Sequence, residues 1–376
     1  MNYLRRNFKV KPQRIAVFTN FLDNIGGAEN LTLILARELG ADIYTTNIDH
    51  DKIDRMGFSG VKIYSIGKVP LNPPFRQQIT LARFRKLNLK SKYDLYIIAG
   101  DWAISGAVNN KPNVEYFHSP INEIWDFKAF VRSLLEGWKR PLFDVWVAYN
   151  RMLYRRYFKH VEKRICNSAN TKNRITKYLG KNATVIHPPV ETSRYFFNRY
   201  GDFWLSVNRL TPHKRIDLQL KAFSMLPNER LTVVGSYEKG ARHFEAHRDY
   251  LEKLKPPNVT FVNWATQEDL ISLYANCKGF ITTAQNEDFG MTPLEAMASG
   301  KPVIASNEGG YKESVVHGET GVLIDDICSE KLANAISDLS SQVYRYRVPC
   351  IARAKEFDTG VFIQQIRELI STPAGV

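Results

Sequence analysis

Short β-rich runs alternate with helical stretches along almost the whole of this chain, and the alternation breaks off once and then begins again. The first run, "RIAVFTN" (Arg14 to Asn20), leads through a Gly-containing loop into "AENLTLILARELG", whose apolar residues recur at helical spacing until Gly40 stops it. "ADIYTTN", "VKIYSIG", "YDLYIIAG" and "NVEYFHSP" read as further strands, with helical stretches between several of them. From Val185 to Asp202 two prolines and a polar, aromatic stretch interrupt the pattern. A second series follows: "FWLSVNRL", the helix "RIDLQLKAFSML", "RLTVVGS", "NVTFVNW", the helix "QEDLISLYAN", "KGFITTA", a helix from near Thr292, "KPVIAS" and "TGVLIDD". Strands that alternate with helices form a parallel sheet covered on both faces. The sequence therefore predicts an α/β chain of two Rossmann-like, doubly wound domains facing across a cleft, a division that 376 residues favour. The expected boundaries are 1–193, 194–358 and, for an amphipathic terminal helix packed on one of the domains, 359–376.

Composition narrows the function classes. No window reaches about 18 uncharged apolar residues, and the first residues lack the apolar stretch of a secretory signal, so a cytoplasmic location is expected. Cys166, Cys277, Cys328 and Cys350 stand far apart without a CxxC pair, which argues against disulfides and a structural zinc. The net charge of +14 implies attraction to something anionic: nucleic acid, an acidic membrane surface or a phosphorylated substrate. The basic residues are spread over both domains and no nucleic-acid motif is present, so no nucleic-acid partner is expected.

In doubly wound folds, ligands bind at the loops that follow the strands. In "NEDFGMTPLEAMASGKPVIASNEGG", Thr292 at N-cap, Pro293 at N1 and Glu295 at N3 match a capping box, which needs no ligand. The same geometry aims the amides of "FGMT" out of a positive helix end, where phosphate or sugar hydroxyls bind. Glu287 lies outside any capping position. In "SVNRLTPHKRID", Arg209, Lys214 and Arg215 follow a strand: either a solvated loop, or cations that hold a diphosphate. "NIGGAEN" puts Gly26 and Gly27 at a strand-to-helix turn, where backbone can approach a ligand. It does not match G-x-G-x-x-G, which disfavours a nicotinamide enzyme. "YFHSP" offers His118 at a strand end, read either as structural or as touching substrate.

Taken in order, "GGAE", "YFHSP", "HPPV", "RLTPHKRID" and "NEDFGMTPLEAMASGKPVIAS", with Glu287 and Glu295 separated by seven residues, resemble the retaining glycosyltransferases of family four. The matches run from about residue 14 to 326. The resemblance implies a GT-B fold, with a nucleotide-sugar donor held mainly by the second domain and the acceptor by the first. Arg209 and Lys214 would then neutralise the donor diphosphate, Glu295 would bind the ribose, and Glu287 and His118 would meet the donor sugar. The amides of Phe289, Gly290, Met291 and Thr292 would serve sugar and phosphate. Gly26 and Gly27 would close over the diphosphate, and Gly235, Ser236 and Trp264 would lie at the base. Asn208 and Arg215 stand where the family often has Gly. The form "RLTPHKRID" is similar to a subgroup that includes O-antigen mannosyltransferases, implying GDP-mannose as donor and polysaccharide assembly as the setting, with a UDP-sugar as the alternative. No cofactor or metal is expected, since no suitably placed DxD motif occurs. The acceptor expected is a glycan or a polyprenyl-linked one, and the basic, aromatic stretch from Phe127 to Arg164 reads either as helices with a buried aromatic face or as a surface for anionic lipid, which would suit a polyprenyl-linked acceptor.

Overall fold

A computed structural model of the chain describes residues 13–23, 26–235, 242–263 and 265–371. It divides into two compact units. Of the described residues, the first holds those up to Phe117 together with Val145–Ile165, and the second holds His118–Asp144 and those from Cys166 to Ser371.

The first unit is built on β1 (Ile15–Phe18), β2 (Asp42–Thr45), β3 (Ile63–Ser65), β4 (Leu95–Ile98), β5 (Asn113–Phe117) and β6 (Lys163–Cys166). They run in the order β3-β2-β1-β4-β5-β6, with a two-residue β7 (Thr184–Val185) last in the sheet. The pairs from β3 to β5 are all parallel. Every residue of β1, β4 and β5 is buried, as expected of strands covered on both faces. Helix α1 (Gly27–Leu39) follows β1 and ends at Gly40, whose φ of 61° is the left-handed cap that glycine adopts without strain. Two further helices are α2 (Phe75–Lys86) and α3 (Lys139–Phe158), of which α2 and the part of α3 from Val145 belong to this unit.

Strands β8 (Phe203–Val207), β9 (Arg230–Val234), β10 (Val259–Val262), β11 (Phe280–Thr282), β12 (Val303–Ser306) and β13 (Gly321–Ile324) form the second sheet. Its order is β10-β9-β8-β11-β12-β13, parallel throughout. Helices of this unit include α4 (Ala169–Leu179), α5 (Ile216–Ser224), α6 (Gln267–Asn276), α7 (Thr292–Ala298) and α8 (Thr359–Ser371). Leu205, Val233, Ile281, Leu294 and Ile304 are among the fully buried residues of its core, each contributing about 1.5–3 kcal/mol by burial. The terminal helix α8 buries Phe362, Ile363 and Ile366. Both sheets reverse their winding between the first strand of the unit and the strand after the crossover, β1/β4 in one and β8/β11 in the other. Among the described residues no helix is long and apolar enough to cross a membrane.

One strand breaks the apolar rule. Glu115, in the middle of β5, is 2% exposed. Tyr154 Oη donates to its Oε1 at 3.4 Å, and its Oε2 finds no partner. Burial raises its carboxyl well above the ordinary value, Asp101 adds to the rise, and Tyr154 and Arg164 only partly oppose it. The unfolded chain releases this proton near pH 4.3, whereas the folded one keeps it. The group therefore stabilises the fold fully below that pH, and its contribution falls by about 1.4 kcal/mol per pH unit on the way up to the folded pKa. Glu115→Gln removes the titration, so the variant gains stability on the wild type between pH 5 and pH 8. Thermal unfolding at both values measures it; a difference independent of pH would refute the account.

Candidate active site

The winding reversal between β8 and β11 puts the loops after these two strands side by side, the place where doubly wound sheets bind ligands. The loop after β8 is tied down to the chain that continues β11. Thr283 Oγ1 shares its proton between the carbonyls of Lys214 at 2.8 Å and Arg215 at 3.0 Å, and the Gln285 amide donates to His213 O at 2.8 Å. With its backbone fixed, Lys214 reaches Glu287, Nζ to Oε2 2.6 Å, and both side chains are mostly buried. Burial alone would raise the Glu287 carboxyl, but the charge and hydrogen bond of Lys214, helped by His213 and Arg209, hold it below the ordinary range. Arg209 is exposed. The His213 imidazole stacks at a tilt on Phe127, ring centres 5.4 Å apart. Burial, with Lys214 and Arg209, pushes its pKa down to about 4, so it is neutral at pH 7.

Arg215 corrects the reading of three cations after β8. It takes a left-handed φ of 50°, and its guanidinium donates to Thr283 O at 2.6 Å and Ala284 O at 3.2 Å and pairs with Glu308 at 2.7 Å. Its charge is engaged inside the protein, whereas Arg209 is exposed and Lys214 pairs with Glu287.

Glu287, which sequence alone leaves without a structural job, sits in a clamped turn. Three successive carbonyls accept from helix α4: Asn286 O from Arg174 Nη2 at 3.1 Å, Glu287 O from Asn170 Nδ2 at 2.9 Å, and Asp288 O from Ser168 Oγ at 2.5 Å. Ser168 is also the N-cap of α4, accepting from Thr171 N at 2.9 Å. Glu313 accepts from the next two amides, Ala169 at 2.8 Å and Asn170 at 3.2 Å, and holds His187 of "HPPV" at 3.0 Å. Arg174 is 6% exposed in its side chain and pairs with both Asp288 and Asp126, donating also to Ser119 Oγ at 2.9 Å. Burial and the neighbouring Glu287 push Asp288 up to about 6 while Arg174 opposes them. On the other side of the turn, the Gly310 amide donates to Glu287 O at 2.9 Å. A Cβ at Gly309 would lie 2.3 Å from the same oxygen, so only glycine lets these chains approach.

The capping box expected at Thr292 does not form. Helix α7 begins at Thr292, its N-cap is Met291 in helical geometry without a side-chain bond, and Glu295 is turned elsewhere. Pro293 moves to the second helical position, and the Glu295 carboxylate accepts from Tyr274 Oη at 2.7 Å. Burial raises the Glu295 carboxyl, with Tyr274 and Tyr195 hydrogen bonds opposing. The amides of Gly290, Met291 and Thr292 make no hydrogen bond among the described residues. Phe289 is buried, packed on His187 and Phe357 with ring centres 5.1 and 5.7 Å away. Gly290 has φ 84°, and a Cβ there would meet the Tyr311 ring at 2.4 Å.

His118 follows β5 but belongs to the second unit, where its carbonyl accepts from Asn167 Nδ2 at 2.6 Å and Thr171 Oγ1 at 3.3 Å. The first turn of the clamping helix thus also fixes His118. Gly235 directly follows β9, its amide donating to Val262 O at 3.0 Å. Ser236 and Trp264 lie outside the described residues. Gly26 and Gly27 belong to the first unit, where Gly26 precedes α1 and its amide donates to Glu29 Oε2 at 2.9 Å. Sequence reasoning missed Ser168, Asn170, Arg174, His213 and the Gly309–Gly310 pair. Only the last carried a local signal, two glycines just after a strand.

Residues 25–194 match the family described as Glycosyltransferase Family 4, and residues 195–357 match Glycosyl transferases group 1. The chain is similar to alpha-1,3/1,6-mannosyltransferase ALG2 of Candida glabrata, 27% identical over 354 residues, covering 78% of this chain and 76% of that protein. It is also 34% identical over 155 residues to ALG2 of Dictyostelium discoideum, a match spanning 36% of this chain and little more than a third, 37%, of that relative. A solved structure of Anabaena HepE in complex with UDP and glucose superposes with a TM-score of 0.78 over 96% of this chain and 100% of that one, at 20% identity, a likeness of fold.

The clamp has a measurable weight. Arg174→Met leaves Asp126 and Asp288 without their cation and lowers unfolding stability by about 3–5 kcal/mol, whereas Asn170→Ala, which removes one hydrogen bond, costs about 1 kcal/mol. Urea unfolding of both variants checks the ranking, and an Arg174→Met variant as stable as Asn170→Ala would contradict it.

Proposed function

Because this chain belongs to the family-four glycosyltransferases and carries their GT-B fold, we propose that it transfers a hexose with retention, mannose from GDP-mannose, to a glycan or polyprenyl-linked acceptor in polysaccharide assembly. The observation that carries this reading is the Lys214–Glu287 pair at 2.6 Å, set at the winding reversal with Arg209 close enough to act on the same carboxylate. A diphosphate entering beside Arg209 competes for Lys214 and leaves the ionised Glu287 to accept from sugar hydroxyls. The two cations and the unbonded amides of Gly290, Met291 and Thr292 stabilise the leaving diphosphate, so the reaction needs neither cofactor nor metal. The departing phosphate oxygen helps remove the acceptor proton in a front-face displacement, and no carboxylate acts as nucleophile. Glu295, held by Tyr274, takes the ribose. Ser236 and Trp264 contribute at the base, His118 at the donor sugar, and Gly26 with Gly27 at the diphosphate.

The mannosyltransferase relatives support mannose as the sugar. A UDP-sugar donor is the second reading, favoured by the neighbour of like fold that holds UDP and glucose. The chain works at the cytoplasmic face of a membrane, in peripheral contact with anionic lipid, without nucleic acid.

Calorimetric titration with GDP, UDP and ADP tests the donor class: GDP binds best if the donor is GDP-mannose, and preferential binding of UDP overturns that choice. Glu295→Ala weakens nucleotide binding by roughly 10- to 150-fold, the worth of a hydrogen bond to a charged group. Glu287→Ala chiefly lowers kcat, by about 100- to 1,000-fold if it meets the sugar as charge develops. Unchanged kinetics in both variants would remove the site assignment.

A further inference from the structure

Helix α3 has two faces of different character. The inner face buries Val147, Asn150, Leu153, Tyr154 and Phe158. It is fastened by Gln78 of α2, whose Nε2 donates to Asn150 Oδ1 at 2.7 Å, and by Phe117 of β5, edge-on to Phe158 with ring centres 5.8 Å apart. The outer face carries Leu142, Val145, Tyr149 and Met152, which are 63, 69, 50 and 57% exposed. Their spacing of three, four and three residues places them in one stripe along the helix. Trp138, just before the helix, is 67% exposed. Residues 130–152 hold seven of the sixteen large apolar side chains exposed among the described residues, a concentration that scattered surface hydrophobics do not produce.

The charge around the stripe has one sign. Residues 127–164 contain ten Lys and Arg against three Asp and Glu, half of the chain's net +14. Each of the three acids is already paired within the protein: Asp144 with Lys128 and Arg132, Glu136 with Lys139, and Glu162 with Lys111. Past Met152 the same side of the helix continues into exposed Arg155 and Arg156, and Lys159 follows at its end. A second copy of this chain would set cation against cation, whereas an acidic bilayer offers both an apolar boundary and phosphates.

We propose that the outer face of α3 docks the protein on an anionic lipid bilayer, the helix lying in the plane of the interface with Leu142, Val145, Tyr149 and Met152 in the acyl boundary and Arg156 and Lys159 among the headgroup phosphates. The surface deepens the proposed reaction, on which it rests for the polyprenyl-linked acceptor it would bring within reach.

Flotation of the full chain with vesicles of phosphatidylglycerol and phosphatidylcholine, against phosphatidylcholine alone, tests it. The wild type floats with the acidic vesicles only. Val145→Asp with Met152→Asp abolishes flotation, and Arg156→Glu with Lys159→Glu weakens binding by at least about 25-fold, each cation being worth roughly fivefold near an acidic surface. All four residues are exposed, and unchanged thermal unfolding shows that the variants are folded. Absence of flotation by the wild type, undiminished flotation by both variants, or a stripe that light scattering shows to be covered by a second copy would each overturn the proposal. Nucleotide affinity of the same variants, measured without lipid, is expected to match the wild type. A wild type that binds nucleotide but no acidic vesicles condemns the docking surface and spares the transferase reading, whereas one that binds the vesicles but no nucleotide condemns the latter.

Discussion

Arg174 brings a charge into the interior of the second unit, and the geometry around Glu287 is the answer to it. A buried guanidinium is tolerated only when its charge is matched and its donors are satisfied. Here two carboxylates match the charge, Asp126 lying 3.3 Å from Nε, and Asp288, a serine hydroxyl and the Asn286 carbonyl accept from the two terminal nitrogens. Because two of those partners, Asn286 and Asp288, flank Glu287, satisfying the arginine also fixes the turn that carries the candidate catalytic carboxylate. Asn286 sits there at φ 51°, a conformation asparagine tolerates better than most residues. The turn is thus determined from one side by a helix and from the other by a glycine pair, and little freedom remains to be lost when a ligand arrives.

The two glutamates of the E-x7-E block are of one residue type and stand one short loop apart, yet their environments drive them in opposite directions. Glu287 faces Lys214, with Arg209 and a neutral imidazole nearby, and stays ionised; Glu295 faces tyrosines in a poorly solvated pocket and holds its proton more tightly. That difference follows from which strand end each one meets. The first lies beside the loop after β8, whose backbone Thr283 and Gln285 pin in place. The second, one helical turn inside α7, points back to α6. An ionised acceptor suits polar hydrogens of a sugar that competes with Lys214, while a carboxyl already bonded to Tyr274 keeps lone pairs for a second donor.

The architecture was legible because each strand-helix unit encodes itself locally: periodicity, a turn and a glycine stop are all found within some 30 residues. The loops after β8 and β11 were legible for the same reason, since a parallel sheet sends such loops to one edge. What could not be read were pairings across distance. Arg174 and Asp288 are 114 residues apart, and nothing in "SANTKNR" distinguishes an arginine bound for the interior from one bound for water. The misread capping box is a subtler case. Thr-Pro-x-Glu fits the motif, but a tyrosine from another helix outbids the local amide for the glutamate, a tertiary contact overriding a local preference. Arg215 was misread because only the fold shows that two strand-end carbonyls and Glu308 await it.

Helix α3 shows why exposure must be read together with what the other face does. Its inner residues already satisfy the core, so its outer apolar stripe is not needed for folding, and keeping it in water is unfavourable. A chain with sufficient cations for solubility could have replaced Leu142, Val145 and Met152 by polar residues without touching a packed contact. Instead the apolar positions follow the helical repeat and lie between cations, Lys139 and Arg140 before Leu142 and Arg155, Arg156 and Lys159 after Met152. An apolar ridge that ends in cations is unsuited to pairing with a copy of itself in register, since the like charges would meet. It is suited to a surface whose oily and acidic layers are separated by a few ångströms, which is the profile of a bilayer interface.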